Sequence, residues 1–117
     1  MKSNYKTINI PIFRCDVLLV ICDSIRKELE LEKNIKLFGE QRQCDYDGLC
    51  LATGYGLFGL YLDRNKISQE LISHEVFHLT YAIFRYHNIA ITKETEECAA
   101  LLNGYLNEYF NGLVWNN

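Results

Sequence analysis

Two of the chain's three histidines fall four residues apart with a glutamate between them, in the run His74-Glu75-Val76-Phe77-His78. At about 100° of rotation per residue, an α-helix stacks positions i and i+4 on one face, so the two imidazoles can converge on one tetrahedral ion. Glu75 is turned aside from them by one residue. A carboxylate so placed does not ligate the metal; it holds a water and takes its proton. The chemistry implied by this spacing is metal-assisted hydrolysis, with Zn2+ as the expected ion and Glu75 as the catalytic base.

Zinc in hydrolytic sites takes a third protein ligand and keeps one position open. Downstream, Glu94, Glu96, Glu97, Asn103 and Glu108 carry suitable oxygens. On a helical wheel of that segment Glu97 falls at the border of the apolar stripe, on the side of Leu101 and Gly104, whereas Glu96 points to solvent. Glu97 is therefore the expected third ligand beside His74 and His78, with Glu94, also near the stripe, as the alternative. Gly104, on the same face as Glu97, would let its helix approach the histidine helix closely.

These residues need rigid elements to hold them. Ser68 reads as an N-cap, Ile67 as a staple onto Ile72, and Glu70 as an acid at the positive helix end, so a long helix is expected over 69–87. Its apolar stripe, Ile72, Val76, Leu79 and Ile83, lies roughly opposite His74, which lets the helix pack by its back and offer its histidines to a cleft. After Ile89-Ala90-Ile91, Thr92 or Thr95 caps a last helix reaching Asn111, with Cys98, Leu102, Tyr105 and Tyr109 as the expected buried stripe.

Upstream, residues 7–13 alternate Ile8, Ile10 and Ile12 in the two-residue period of a half-buried strand, which Pro11 confines to an edge or irregular role. The β-branched run 17–21 reads as a second strand. Asp23 and Ser24 offer caps to a charged helix over 25–33. Residues 48–63 read as strand, glycine-rich turn at Gly54-Tyr55-Gly56, and strand. The order β, β, α, β, β, α, α predicts an α+β fold: a small, mostly antiparallel twisted sheet packed on the two long helices.

Composition bounds the function. At 117 residues, 49% of them hydrophobic, the chain suits a single domain over 1–117 with a real core. Its net charge of -3, with no basic block, argues against nucleic acid as a partner. The longest apolar stretch, residues 17–21, is far short of the roughly 20 residues that span a bilayer, which excludes a membrane anchor. The five cysteines are odd in number, form no CxxC pair and follow no signal segment, so reduced thiols in the cytoplasm are expected.

The segments Ile72-Ser73-His74-Glu75-Val76-Phe77-His78-Leu79 and Glu97-Cys98-Ala99-Ala100-Leu101-Leu102-Asn103-Gly104-Tyr105-Leu106 resemble the zincin metallopeptidases of the gluzincin type. Similarity is weaker at Ile10-Pro11-Ile12-Phe13-Arg14-Cys15-Asp16-Val17. More narrowly, the chain is similar to short stand-alone metallopeptidase-like sequences of phages and prophages. The resemblance implies zinc ligation by His74, His78 and Glu97, catalysis by Glu75, and a peptide or protein substrate, with the host cytoplasm as the place of action. It also implies a substrate lying along an edge strand ahead of the histidine helix, here Leu57–Asp63. Larger gluzincins carry a further domain that supplies an oxyanion donor. This chain has no room for one, which leaves His87, Tyr46, Tyr55, Tyr81 and Tyr105 as candidates. The alternative function is a non-catalytic protein-binding module on the same scaffold, with structural or vestigial zinc.

Overall fold

The computed structural model describes residues 2–42 and 44–116. It is a small α+β fold of four strands and four α-helices: β1 Asn4–Ile10, β2 Cys15–Cys22, α1 Ile25–Leu29, α2 Glu32–Phe38, β3 Gly48–Ala52, β4 Leu57–Asp63, α3 Gln69–Tyr86 and α4 Glu96–Trp115. The expected strand over 7–13 begins earlier and ends at Ile10, because Pro11 fixes its own φ and opens a 3-10 turn over Pro11–Phe13. Beyond that turn Arg14 takes a left-handed conformation, φ 47°, which reverses the chain into β2.

The sheet is mixed, in the order β1-β2-β4-β3. β1 pairs with β2 and β3 with β4 antiparallel, while β2 and β4 run parallel, with Val17 opposite Phe58 and Val20 opposite Tyr61. A parallel pair needs a crossover, and here α1, α2 and β3 supply it. β2 and β4 are buried on both faces, which explains why both read as nearly continuous apolar runs. This order corrects the expectation that Leu57–Asp63 is an edge. β4 is interior, and the edge strand beside α3 is β3.

Helices cover both faces. Leu18, Val20, Cys22 and Tyr61 pack with Ile25 and Leu29 of α1. On the other face Ile8, Val17, Leu19, Phe58, Leu60 and Leu62 meet Ile72, Val76, Leu79 and Ile83 of α3 and Leu102, Leu106 and Phe110 of α4. Full burial of one such side chain stabilises the fold by about 1.5–3 kcal/mol, so the α3 stripe alone anchors that helix firmly.

The single helix expected over 25–33 is two. The chain breaks at Leu31, whose ψ of 138° is extended, and so brings Asn34 back under α1. There Asn34 Nδ2 donates to the Glu28 carbonyl at 2.7 Å, and its Oδ1 accepts from the Tyr61 hydroxyl at 2.6 Å. A buried polar network of this kind is stable only when its members are satisfied, and the kink satisfies them.

The stripe expected on α4 is also displaced. The buried residues are Ala99, Leu102, Leu106, Phe110 and Val114; Cys98 and Tyr105 are exposed and Tyr109 is half-buried. Tyrosine keeps its hydroxyl near water, so the fully apolar Leu106 and Phe110 take the centre of the face. Among the described residues no helix is long and apolar enough to cross a membrane.

Candidate metal centre

α3 starts where Ser68 Oγ accepts from the Leu71 amide at 3.0 Å, and its inner stripe of Ile72, Val76, Leu79 and Ile83 is fully buried. With that face locked, the helix period turns His74 and His78 outward, and both are exposed. Their Nε2 atoms stand 3.3 Å apart, with the rings inclined at 73°. Two nitrogens bound at about 2.0–2.1 Å to one ion at the tetrahedral angle are separated by roughly 3.3 Å. The pair therefore has the spacing of two zinc ligands without rearrangement. The same approach lets one neutral imidazole donate its N–H to the other.

Glu75 points along the flank of α3 that faces β3. It is only 5% exposed, and its Oε2 lies 3.9 Å from His74 Nε2. Burial pushes its carboxyl above the usual carboxylate range, against the opposing pull of the His74 and His78 charges. A raised carboxyl pKa makes a stronger proton acceptor, which suits a base better than a ligand. Two residues of β3 form the wall behind it. The backbone of Gly48 lies directly against the Glu75 side chain. The thiol of Cys50 is pushed up to about 12, first by burial and then by the Glu75 charge.

The third expected ligand is elsewhere. Glu97 is exposed in the first turn of α4, and Ala99, Leu102, Leu106 and Phe110 define the inward face of that helix. At about 100° per residue Glu97 falls nearly opposite the centre of that face. The seam between the helices is marked by Thr80 and Asn103, whose Oγ1 and Oδ1 are 3.1 Å apart. Thr80 lies about 160° around α3 from His78, so α4 flanks α3 on the side away from the histidines. Gly104 has no atom within 4 Å of a notional Cβ and mediates no close approach. Glu94 is exposed in the loop before α4, where its carboxylate accepts from the Thr92 hydroxyl at 3.0 Å. Among the described residues no third His, Cys, Asp or Glu side chain joins the two imidazoles in a preformed cage.

Of the candidate oxyanion donors, three are engaged elsewhere: His87 Nε2 with the Phe13 carbonyl at 2.5 Å, the Tyr55 hydroxyl with the Leu37 carbonyl at 2.9 Å, and the Tyr46 hydroxyl with the Arg42 carbonyl at 3.4 Å. Tyr81 and Tyr105 are exposed on different helices. The residue that sequence reasoning missed is Gly48; a glycine opening a strand is the only signal it leaves.

No protein-family model matches the chain, and no curated protein or solved structure matches it either.

Proposed function

We propose that the chain is a zinc-dependent hydrolase of the zincin type that cleaves a peptide bond in a protein substrate. The observation that carries this reading is the 3.3 Å separation of His74 Nε2 and His78 Nε2 with the Glu75 carboxylate beside them. His74 and His78 would hold the ion. A zinc ion bound there supplies Lewis acidity to a water and to the scissile carbonyl.

Glu75 does the proton work. Its Oε2 accepts the proton from the attacking water as the new C–O bond forms, then delivers it to the amine nitrogen as the C–N bond breaks. The buried position keeps this carboxylate from being fully hydrated, and a poorly hydrated base is more reactive. β3 is terminal in the sheet, next to α3, so its outer edge can receive an extended peptide by strand addition and bring a carbonyl towards the histidines.

Metal analysis of the purified protein, with wild type beside His78→Ala and Glu75→Gln, tests the reading. Zinc in the wild type, lost in His78→Ala, and kept in Glu75→Gln with peptide cleavage abolished is the expected pattern. A wild type that binds no zinc refutes it. A second reading, a protein-binding module on the same scaffold, is favoured by Phe77, which is 60% exposed beside His78. It requires that Glu75→Gln leave partner binding intact and that the wild type cleave nothing.

A further inference from the structure

Gly48 opens β3 where that strand passes α3, and its backbone does not call for glycine. The left-handed glycines are Gly39 and Gly56. Space calls for it instead: a Cβ on Gly48 would stand 2.8 Å from Glu75 Cγ, 3.1 Å from Glu75 Oε2 and 3.0 Å from Leu71 Cδ1. Carbon atoms in contact prefer about 3.5–4.0 Å, so any side chain at this position overlaps Glu75. Gly54 and Gly104, by contrast, have nothing within 4 Å. Glycine weakens a strand and tends to mark a close approach by another group.

We propose that Gly48 is a positioning residue for Glu75: its missing side chain is the slot in which the Glu75 carboxylate is held against the edge of β3 and beside His74. This rests on the reading of Glu75 as the base. The overlap involves Cγ, in the middle of the side chain, so a Cβ at position 48 cannot be accommodated by a small movement of the carboxylate tip. Either Glu75 leaves its rotamer, of which a helix allows few, or β3 moves away from α3. Both change the 3.9 Å relation of Oε2 to His74 Nε2. A misplacement of about 1 Å can cost roughly a hundredfold in rate. Glu75 moves protons during bond making and breaking and does not anchor the bound peptide, so the loss falls on kcat.

The test is Gly48→Ala made in the wild type and in a Glu75→Ala background. Three quantities are read: melting temperature of the metal-free protein, zinc content, and kcat and KM on fluorescein-labelled casein. Gly48→Ala is expected to lower the melting temperature in the wild type and to lose most of that penalty once Glu75 is shortened, the contact with Leu71 keeping the rest. Zinc content stays at the wild-type ratio, because His74 and His78 are untouched. The kcat falls about tenfold to a hundredfold while KM stays within about threefold. An equal melting penalty in both backgrounds, loss of zinc from Gly48→Ala, or an unchanged kcat would overturn the proposal. Where Gly48→Ala alone does not fold, recovery in the double variant supports the proposal and failure in both refutes it. A wild type that leaves labelled casein intact counts against the hydrolase reading, and the melting comparison still decides whether Gly48 and Glu75 compete for one space.

Discussion

The Thr80 hydroxyl on α3 meets the Asn103 side chain on α4 at 3.1 Å, and this contact marks the flank of α3 against which α4 packs. α4 lies on one flank of α3, packed through Leu102, Leu106 and Phe110, while Glu75 leans on β3 along the other. Glu97 is exposed on the outward side of α4, and among the described residues it forms no metal-binding group with the histidines. Glu97→Ala is expected to change zinc affinity by less than about twofold, whereas His74→Ala, which removes one of two imidazole ligands, lowers it by at least about a hundredfold. Isothermal titration with zinc measures both. A tenfold loss in Glu97→Ala would mean that α4 is turned differently about its axis.

Glu75 carries a cost that its proposed role explains. It is buried, and the imidazole of His74 is 3.9 Å away, too long for a hydrogen bond. An ionised carboxylate in that position is poorly compensated. Glu75→Gln keeps the shape and removes the charge. The metal-free variant is expected to be more stable than the wild type by about 1 kcal/mol at neutral pH, raising the melting temperature by roughly 3–6 °C. Calorimetry of the two metal-free proteins checks this, and a lower melting temperature for the variant would show that the carboxylate is better satisfied than its surroundings indicate.

Local signals carried much of this structure, and non-local ones did not. α3 was legible because its cap, Ser68, and its stripe of Ile72, Val76, Leu79 and Ile83 are set within a few residues of chain. The hairpin of β3 and β4 was legible from Gly54-Tyr55-Gly56, where Gly56 adopts φ 85°. The interior position of β4 was not, since it depends on a parallel pairing with β2 across two helices and a strand. The phase of α4 failed because a wheel that counts tyrosine as apolar draws the stripe towards Tyr105 and Tyr109. The actual face runs through Leu106 and Phe110, and that difference is what separates Glu97 from the site. The break between α1 and α2 depends on Asn34 finding Glu28 and Tyr61, a partnership that periodicity does not encode. Gly48 shows in the sequence only as a glycine opening a strand, and its approach to Glu75 is visible only in three dimensions.

The five cysteines are all free thiols and should separate by environment. Cys98 is exposed on α4, while Cys15 and Cys22 are buried with their thiols pushed up to about 11, chiefly by burial. Only the thiolate reacts, so at pH 8 a thiol of that pKa is ionised to roughly one part in a thousand. Iodoacetamide followed by mass spectrometry is expected to label Cys98 first and Cys15 and Cys22 only after denaturation. Rapid labelling of Cys22 in the folded protein would contradict the packing of β2 against α1.

Tyr61 ties the sheet to the α1–α2 kink, and its ionisation sets an alkaline limit on stability. Its hydroxyl is fully buried and donates to Asn34 Oδ1 at 2.6 Å, and burial pushes its pKa upward, with the Glu28 charge acting in the same direction. The folded-state pKa thus lies above the unfolded value of about 10. The stabilisation this difference represents is fully present below pH 10 and is lost as pH rises towards the folded value, because the unfolded chain releases its proton first. Tyr61→Phe leaves Asn34 Oδ1 without its donor and is expected to cost about 1–3 kcal/mol at pH 7. Between pH 9 and pH 11 the wild type should lose stability more steeply than the variant, so the gap between them narrows. Urea unfolding curves at pH 7, 9 and 11 measure both effects, and a gap that widens with pH would show that the Tyr61 hydroxyl is not held in its protonated form by the fold.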